Sequence, residues 1–180
     1  FKRYKIKFAR RWKYMKILVS SCLLGEDVRY DGLNSSVAFN PKFPFSLKEL
    51  FMDILCENQI YSFCPEVAGG LGIPRNPAEI VKNEKPFKIL DNEQNDVTIN
   101  FLLGAKKALD TCKNENILVA LLKSKSPSCG NKEIYDGTFS NNLVEGQGLT
   151  TRLLEENGIK VFNENELKEL AKFIKKNKSL

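Results

Sequence analysis

Histidine is absent from all 180 residues of the sequence. This absence excludes Ser-His-Asp hydrolases, Cys-His proteases, His-ligated zinc enzymes and iron sites built from two histidines and one carboxylate. Any proton transfer must therefore use Glu, Asp, Lys, Tyr, Cys or water. A tightly held transition metal must depend largely on thiolate, and the chain contains five cysteines.

Long apolar runs are also absent, since no stretch approaches the 18 residues that a membrane span requires. The basic start is not followed by the apolar stretch and small-residue cleavage site of a secretory signal. We therefore expect a cytoplasmic protein in a reducing compartment, with no membrane partner. In that compartment an odd number of cysteines fits free thiols or a metal site better than a disulfide framework.

Acidic residues are absent from residues 1–14, which hold seven of the 28 basic residues. The rest of the chain carries 21 basic and 22 acidic residues, so the net charge of +6 is local. Met15 directly precedes the first strand-like run, and we expect translation to start there. Residues 1–14 are then a basic extension that is not native or is disordered, followed by one domain over residues 15–180. A genuine basic arm is the alternative.

Short apolar runs alternate with amphipathic segments after Met15. We predict strands at residues 16–20, 60–64, 87–90, 117–122 and 159–162, and helices at about 46–58, from 98, 149–157 and 164–176. The strand at 87–90 is expected at an edge. This alternation predicts an α/β fold with a mostly parallel sheet and helices on both faces.

Three cysteines, Cys22, Cys64 and Cys129, each lie at or just past the end of a predicted strand. The ligand crevice of an open parallel sheet lies beyond the carboxyl ends of its strands, so these thiols should meet at one edge. Three thiolates without histidine suit an iron–sulfur cluster or zinc. The alternative is that they are small buried hydrophobic residues. We give Cys112 that interpretation because it lies on the apolar stripe of a helix, and we expect no ligand role for Cys56, which lies near a helix end opposite the stripe.

Seven sequence blocks occur in a characteristic order. Three contain the cysteines: Ser-Ser-Cys-Leu-Leu-Gly at 20–25, Cys-Pro-Glu-Val-Ala-Gly-Gly at 64–70 and Ser-Pro-Ser-Cys-Gly at 126–130. The others lie at 28–32, 74–80, 134–139 and 146–150. Together they resemble the bacterial thiouracil desulfidase family over about residues 15–162. The resemblance implies a single Rossmann-like domain, a three-layer α/β sandwich. It also implies a [4Fe-4S] cluster held by Cys22, Cys64 and Cys129, with one iron left open.

The same resemblance implies a non-redox reaction that removes sulfur from a 2-thiouracil-like base or nucleotide, giving the oxo base and sulfide. It matches the family's catalytic residues to Glu66 and Ser126. A carboxylate two residues from a cluster ligand suits proton transfer in a chain without histidine. The alternative is that Glu66 caps a turn and Ser126 caps a loop.

Arg29, Asp31 and Arg75 are weaker candidates for substrate binding. Asp31 is equally suited to a turn with the glycine that follows it, and Arg75 is equally suited to an ion pair with Glu79. The glycines of two blocks are predicted to supply backbone with positive φ. These are Gly69, Gly70, Gly146 and Gly148.

Two other functions are compatible with the sequence. The first is a non-catalytic module in which three cysteines hold zinc or carry a persulfide. The second is desulfidation of thiolated tRNA. Without residues 1–14 the chain has no basic face with interleaved aromatics to bind a phosphate backbone, so tRNA is the less favoured substrate.

Overall fold

The structure is a computed structural model that describes residues 14–81 and 87–178. The predicted basic extension lies, except for Tyr14, outside the described residues. Within the described part of the chain, no helix is long and apolar enough to cross a membrane.

Eight strands and five α-helices follow one another along the described part of the chain. The strands are β1 (Lys16–Ser20), β2 (Gln59–Phe63), β3 (Ala78–Val81), β4 (Lys88–Asp91), β5 (Val119–Leu122), β6 (Glu133–Tyr135), β7 (Leu143–Glu145) and β8 (Lys160–Asn163). The helices are α1 (Phe45–Cys56), α2 (Pro65–Ala68), α3 (Thr98–Glu115), α4 (Leu149–Glu156) and α5 (Leu167–Lys178).

Four of the strands form a parallel sheet in the order β2-β1-β5-β8. Alternate residues of β1 point to opposite faces, so Ile17 and Val19 pack on one side and Leu18 packs on the other. Helices α1 and α5 cover the first face, while α3 and α4 cover the second. The three-layer α/β prediction is therefore confirmed.

The strand order creates a crevice at one end of the sheet. The chain passes from β1 to β2 on one side of β1 and then crosses to β5 on its other side. Such a switch of direction opens a gap beyond the carboxyl ends of the two central strands, which is where ligands bind in open α/β sheets. Cys22 and Cys129 follow these two strands.

Two antiparallel hairpins lie outside the main sheet and differ from the prediction. Strand β4 pairs with β3, so the run predicted as an edge strand at 87–90 belongs to a separate hairpin. Strand β6 pairs with β7, and no strand was predicted at either position. These strands have only three or four residues, too few for a clear period-two pattern.

Candidate functional site

A cavity of about 420 Å³ lies at the carboxyl end of the parallel sheet, and all three candidate ligands line it. Its volume is in the range of small-molecule sites. The segments after the three strands β1, β2 and β5 supply one wall. They contribute Ser20, Cys22, Cys64, Glu66, Lys123, Ser126 and Cys129. The hairpin strands and their turns supply the opposite wall, which includes Glu79, Tyr135, Phe139 and Asn141.

Cys22 lies in a short 3₁₀ helix (Ser21–Leu24) that directly follows β1. Its carbonyl oxygen accepts hydrogen bonds from the backbone N–H of Gly25 and of Ser35, which fixes the cysteine backbone. Burial, with a smaller contribution from the nearby Cys64, raises the pKa of the Cys22 thiol to about 12.

Cys64 precedes α2, and its half-buried thiol lies near the first backbone N–H groups of that helix. Burial raises the pKa of Cys64, while hydrogen bonding by the backbone of Val67 and Glu66 opposes the rise. These N–H groups stabilise negative charge on the sulfur, which suits a thiolate ligand.

Helix α2 packs very closely on α3. A Cβ atom on Gly104 of α3 would lie 2.0 Å from the Pro65 carbonyl oxygen, and a Cβ atom on Gly69 would lie 2.0 Å from the Asn100 carbonyl oxygen. Gly69 has a φ of −76°, so its predicted positive φ is wrong and its role is this close approach. The prediction is confirmed for Gly70, with a φ of +94°.

Cys129 is 5% exposed in the loop after β5. Burial raises the pKa of its thiol, and Glu66, Cys64 and Cys22 raise it further. The Ser126 hydroxyl oxygen accepts the backbone N–H groups of Ser128 and Cys129, at 3.0 and 3.1 Å, so Ser126 does cap this loop.

Gly148 packs directly behind the Cys129 loop. A Cβ atom there would lie 2.4 Å from the Ser128 carbonyl. Gly148 has a φ of −67°, and Gly146 is not among the described glycines with positive φ, so the prediction is wrong for both. The physical reason at Gly148 is again the absence of a side chain between two close backbones.

The three thiols line one shared cavity, where Cys64 raises the pKa of Cys22 and both raise the pKa of Cys129. Among residues 14–81 and 87–178, however, no three His, Cys, Asp or Glu side chains converge closely enough to hold one metal ion. A metal group bound by these residues must displace the thiol protons, because the ligand is the thiolate. A soft donor set around a shared space matches an iron–sulfur cluster.

The other two cysteines lie away from the cavity, as predicted. Cys112 is 1% exposed on α3 and packs in the core against the sheet. Cys56 is exposed at the end of α1.

The structure brings Glu66 and Ser126 together. The Ser126 hydroxyl donates to Oε1 of Glu66 over 3.4 Å. The Arg75 guanidinium donates to Oε2 of Glu66 from Nε at 3.0 Å and from Nη2 at 2.7 Å. One carboxylate oxygen is therefore fixed by an ion pair, and the other faces the serine.

Arg75 is itself fixed by its surroundings. Its side chain is 9% exposed, and its guanidinium donates to the carbonyl oxygens of Val28 and Gly72. The alternative pairing of Arg75 with Glu79 is wrong, because Glu79 instead accepts the backbone N–H groups of Gly137 and Phe139. Glu79 thus fixes the turn of the β6–β7 hairpin over the cavity.

The remaining two substrate candidates occupy one loop. Arg29 lines the cavity and donates to the Ser35 hydroxyl at 2.7 Å and to Asp31 at 3.1 Å. Asp31 is not among the described lining residues, and its second oxygen accepts the backbone N–H of Leu33. Both oxygens of Asp31 are thus used within the turn.

Sequence reasoning missed several lining residues. Ser20 lies with its hydroxyl 3.7 Å from the Cys129 sulfur, and its position at the end of β1, two residues before Cys22, could have indicated this. Phe139 and Asn141 enter through the hairpin turn, which the Asp-Gly pair at 136–137 could have indicated.

Comparisons with known proteins identify relatives of this chain. A family model described as 2-thiouracil desulfurase matches residues 17–166. The uncharacterized protein YbbK of Bacillus subtilis (strain 168) is 37% identical over 160 residues, which cover 86% of this chain and 99% of that protein. A solved structure described as the [4Fe-4S]-dependent thiouracil desulfidase TudS is 42% identical with a TM-score of 0.75. The match covers 89% of this chain and 98% of the solved chain.

Proposed function

The chain belongs to the 2-thiouracil desulfurase family, and from that premise we propose that it is a [4Fe-4S]-dependent desulfidase of thiolated pyrimidines. Its reaction exchanges C=S for C=O on a 2-thiouracil-like base or nucleotide. Water supplies the oxygen and two protons, sulfur leaves as hydrogen sulfide, and no net electron is transferred. The similarity to TudS and the shared cavity of three thiols support this proposal.

Cys22, Cys64 and Cys129 would hold the cluster, and one iron would have no cysteine ligand. Bound there, the cluster would supply a thiophilic Lewis acid for the departing sulfur. The N–H groups at the start of α2 would stabilise the Cys64 thiolate.

Glu66 and Ser126 would carry out the proton transfers of the reaction. Because Arg75 fixes Oε2 of Glu66, the carboxylate cannot turn away, and Oε1 stays directed at Ser126 in the cavity. Glu66 would accept a proton from the attacking water or return one to a ring nitrogen. Ser126 would hydrogen-bond the substrate or relay that proton. The single observation that carries the proposal is this Ser126–Glu66 contact in a cavity also lined by three cysteines.

The proposal is tested by turnover under anaerobic conditions. We expect release of uracil and sulfide from free 2-thiouracil, with little action on tRNA that contains 4-thiouridine. Cys64→Ser should abolish turnover and the brown colour, whereas the matched Cys56→Ser change on the exposed end of α1 should preserve both. Activity on the tRNA without activity on free 2-thiouracil would show that the substrate is tRNA. A colourless protein that contains one zinc ion would refute the proposed iron–sulfur cluster.

A further inference from the structure

Ser20 and Cys129 meet in the buried wall of the cavity. Ser20 is the last residue of β1 and is 3% exposed, while Cys129 is 5% exposed. The Ser20 hydroxyl oxygen lies 3.7 Å from the Cys129 sulfur, which is hydrogen-bond distance for sulfur. Ser20 ends β1, and Cys129 lies in the loop that follows the neighbouring strand β5.

A second hydrogen bond sets the direction of the Ser20 proton. The backbone N–H of Lys123 donates to the Ser20 oxygen at 3.0 Å. A serine hydroxyl has one proton and two lone pairs. Because Lys123 occupies a lone pair, the proton of Ser20 is free to point at the sulfur.

The Lys123 backbone is in turn fixed by Glu164, which is 4% exposed. The Glu164 carboxylate accepts the Lys123 ammonium at 2.5 Å, the Ser124 N–H at 2.8 Å and the Ser124 hydroxyl at 2.6 Å. These three contacts fix the segment that presents its N–H to Ser20. A chain of hydrogen bonds therefore runs from Glu164 through residues 123–124 to Ser20 and ends on the Cys129 sulfur.

We propose that Ser20 is a positioning residue whose hydroxyl donates a hydrogen bond to the sulfur of Cys129 and thereby tunes the cluster. This inference rests on the proposed function, because it assumes that Cys129 is a cluster ligand. Hydrogen bonds to ligand sulfur stabilise added negative charge, and so they raise the reduction potential of an iron–sulfur cluster. Cys64 receives backbone donors at α2, whereas Cys129 receives a side-chain donor that mutation can remove.

The test is the midpoint reduction potential of the cluster, measured beside the iron content. Ser20→Ala should keep its iron and show a lower potential, and Ser20→Thr should restore the wild-type value. The matched control is Thr151→Val. The Thr151 hydroxyl also binds Cys129, but it donates to the carbonyl oxygen and not to the sulfur. That control should leave the potential unchanged.

An unchanged potential in iron-loaded Ser20→Ala would overturn the inference while leaving the proposed function intact. A wild-type protein without a cluster would overturn both. If Ser20→Ala takes up too little iron, Ser20→Gly decides the matter, since it also removes the hydroxyl and leaves every charge in place. A lower potential in iron-loaded Ser20→Gly supports the inference, and an unchanged one overturns it.

Discussion

Glu66 is held by side chains from two different segments, so each of its carboxylate oxygens has a partner. Arg75 approaches from the proline-flanked segment after α2, and Ser126 approaches from the loop after β5. Ser126 also caps that loop, so one hydroxyl links the carboxylate to the backbone that carries Cys129. The same Ser126 hydroxyl therefore caps the loop and contacts the candidate catalytic carboxylate, so the two interpretations of Ser126 are compatible.

We predict that Glu66→Gln keeps the visible spectrum of the cluster and lowers kcat by about 10²- to 10⁴-fold, the usual contribution of general acid–base catalysis. The amide has nearly the same shape but cannot exchange the proton. Steady-state kinetics with 2-thiouracil provide the measurement, with Glu57→Gln at the end of α1 as the matched control. An unchanged kcat would remove Glu66 from the mechanism.

The residue types and strand positions in the sequence predicted which cysteines share the cavity. Cys22, Cys64 and Cys129 line it, while Cys56 and Cys112 do not. The partner of Arg75 was not predictable in the same way. Glu66 and Arg75 are nine residues apart through irregular backbone, so no helical or strand period relates them. Only the path of that segment decides that Arg75 reaches Glu66 and not Glu79.

At the scale of elements, the four-residue helix α2 depends on its neighbour. It carries Glu66 and begins directly after Cys64, and it is too short to be stable alone. The missing side chains at Gly104 and Gly69 allow it to lie against α3. Backbone contact between the two helices therefore sets the position of one candidate cluster ligand and of the catalytic candidate.

We predict that Gly104→Ala destabilises the protein and lowers its iron content. Alanine normally stabilises a helix interior relative to glycine by about 1 kcal/mol. A decrease in the free energy of unfolding on Gly104→Ala would therefore reflect the close contact with the Pro65 carbonyl. Chemical denaturation and iron analysis provide the measurements. Lys106→Ala, on the exposed side of the same helix, is the control. A stabilised, fully loaded Gly104→Ala protein would contradict the packing argument.

The long elements were predictable, and the two hairpins were not. The four strands of the parallel sheet and the helices α1, α3, α4 and α5 appear near their predicted positions, because each has a clear apolar period or a buried run. The start of α5 was placed too early. Residues 163–166 form a turn in which the Asn163 side chain accepts the Asn165 N–H. A local side-chain hydrogen bond thus forms that turn, whereas the strands of both hairpins are too short to show an apolar period.

The Asp91 carboxylate in the turn after β4 should make the free energy of unfolding depend on pH. Hydrogen bonds from Asn95 and Asn76 and from the backbone N–H of Glu93 hold the pKa of the buried Asp91 carboxyl below its usual range. A lowered folded-state pKa adds stability above the unfolded pKa of about 4, and this contribution is lost as the pH falls through the folded pKa.

We therefore expect Asp91→Asn to lower the free energy of unfolding at pH 7, and the difference from wild type to shrink below about pH 4. Denaturation at both pH values measures it, with the exposed Asp110→Asn as the control. A difference that is the same at both pH values would show that the ionised form of Asp91 is not what stabilises the turn.

At the scale of the whole molecule, the distribution of charge separates the domain from its first residues. Residues 15–180 carry 21 basic and 22 acidic residues, so the domain has no excess of positive charge for a phosphate backbone. The crevice at the switch of strand direction is the feature that the fold offers a small ligand.

We predict that a chain beginning at Met15 retains the cluster, the thermal midpoint and the turnover of free 2-thiouracil, because the match to the family begins at residue 17. Iron analysis and thermal unfolding of both chains provide the comparison. Loss of the cluster on truncation would show that the basic segment is part of the domain.

The central claim is that three thiols around one cavity hold a four-iron cluster. It is tested most directly by the iron and acid-labile sulfide content of protein purified without oxygen. The account predicts about four iron and four sulfide per chain. This content should be retained in Cys56→Ser and Cys112→Ser and lost in Cys22→Ser, Cys64→Ser and Cys129→Ser. One zinc ion per chain with no sulfide would contradict it.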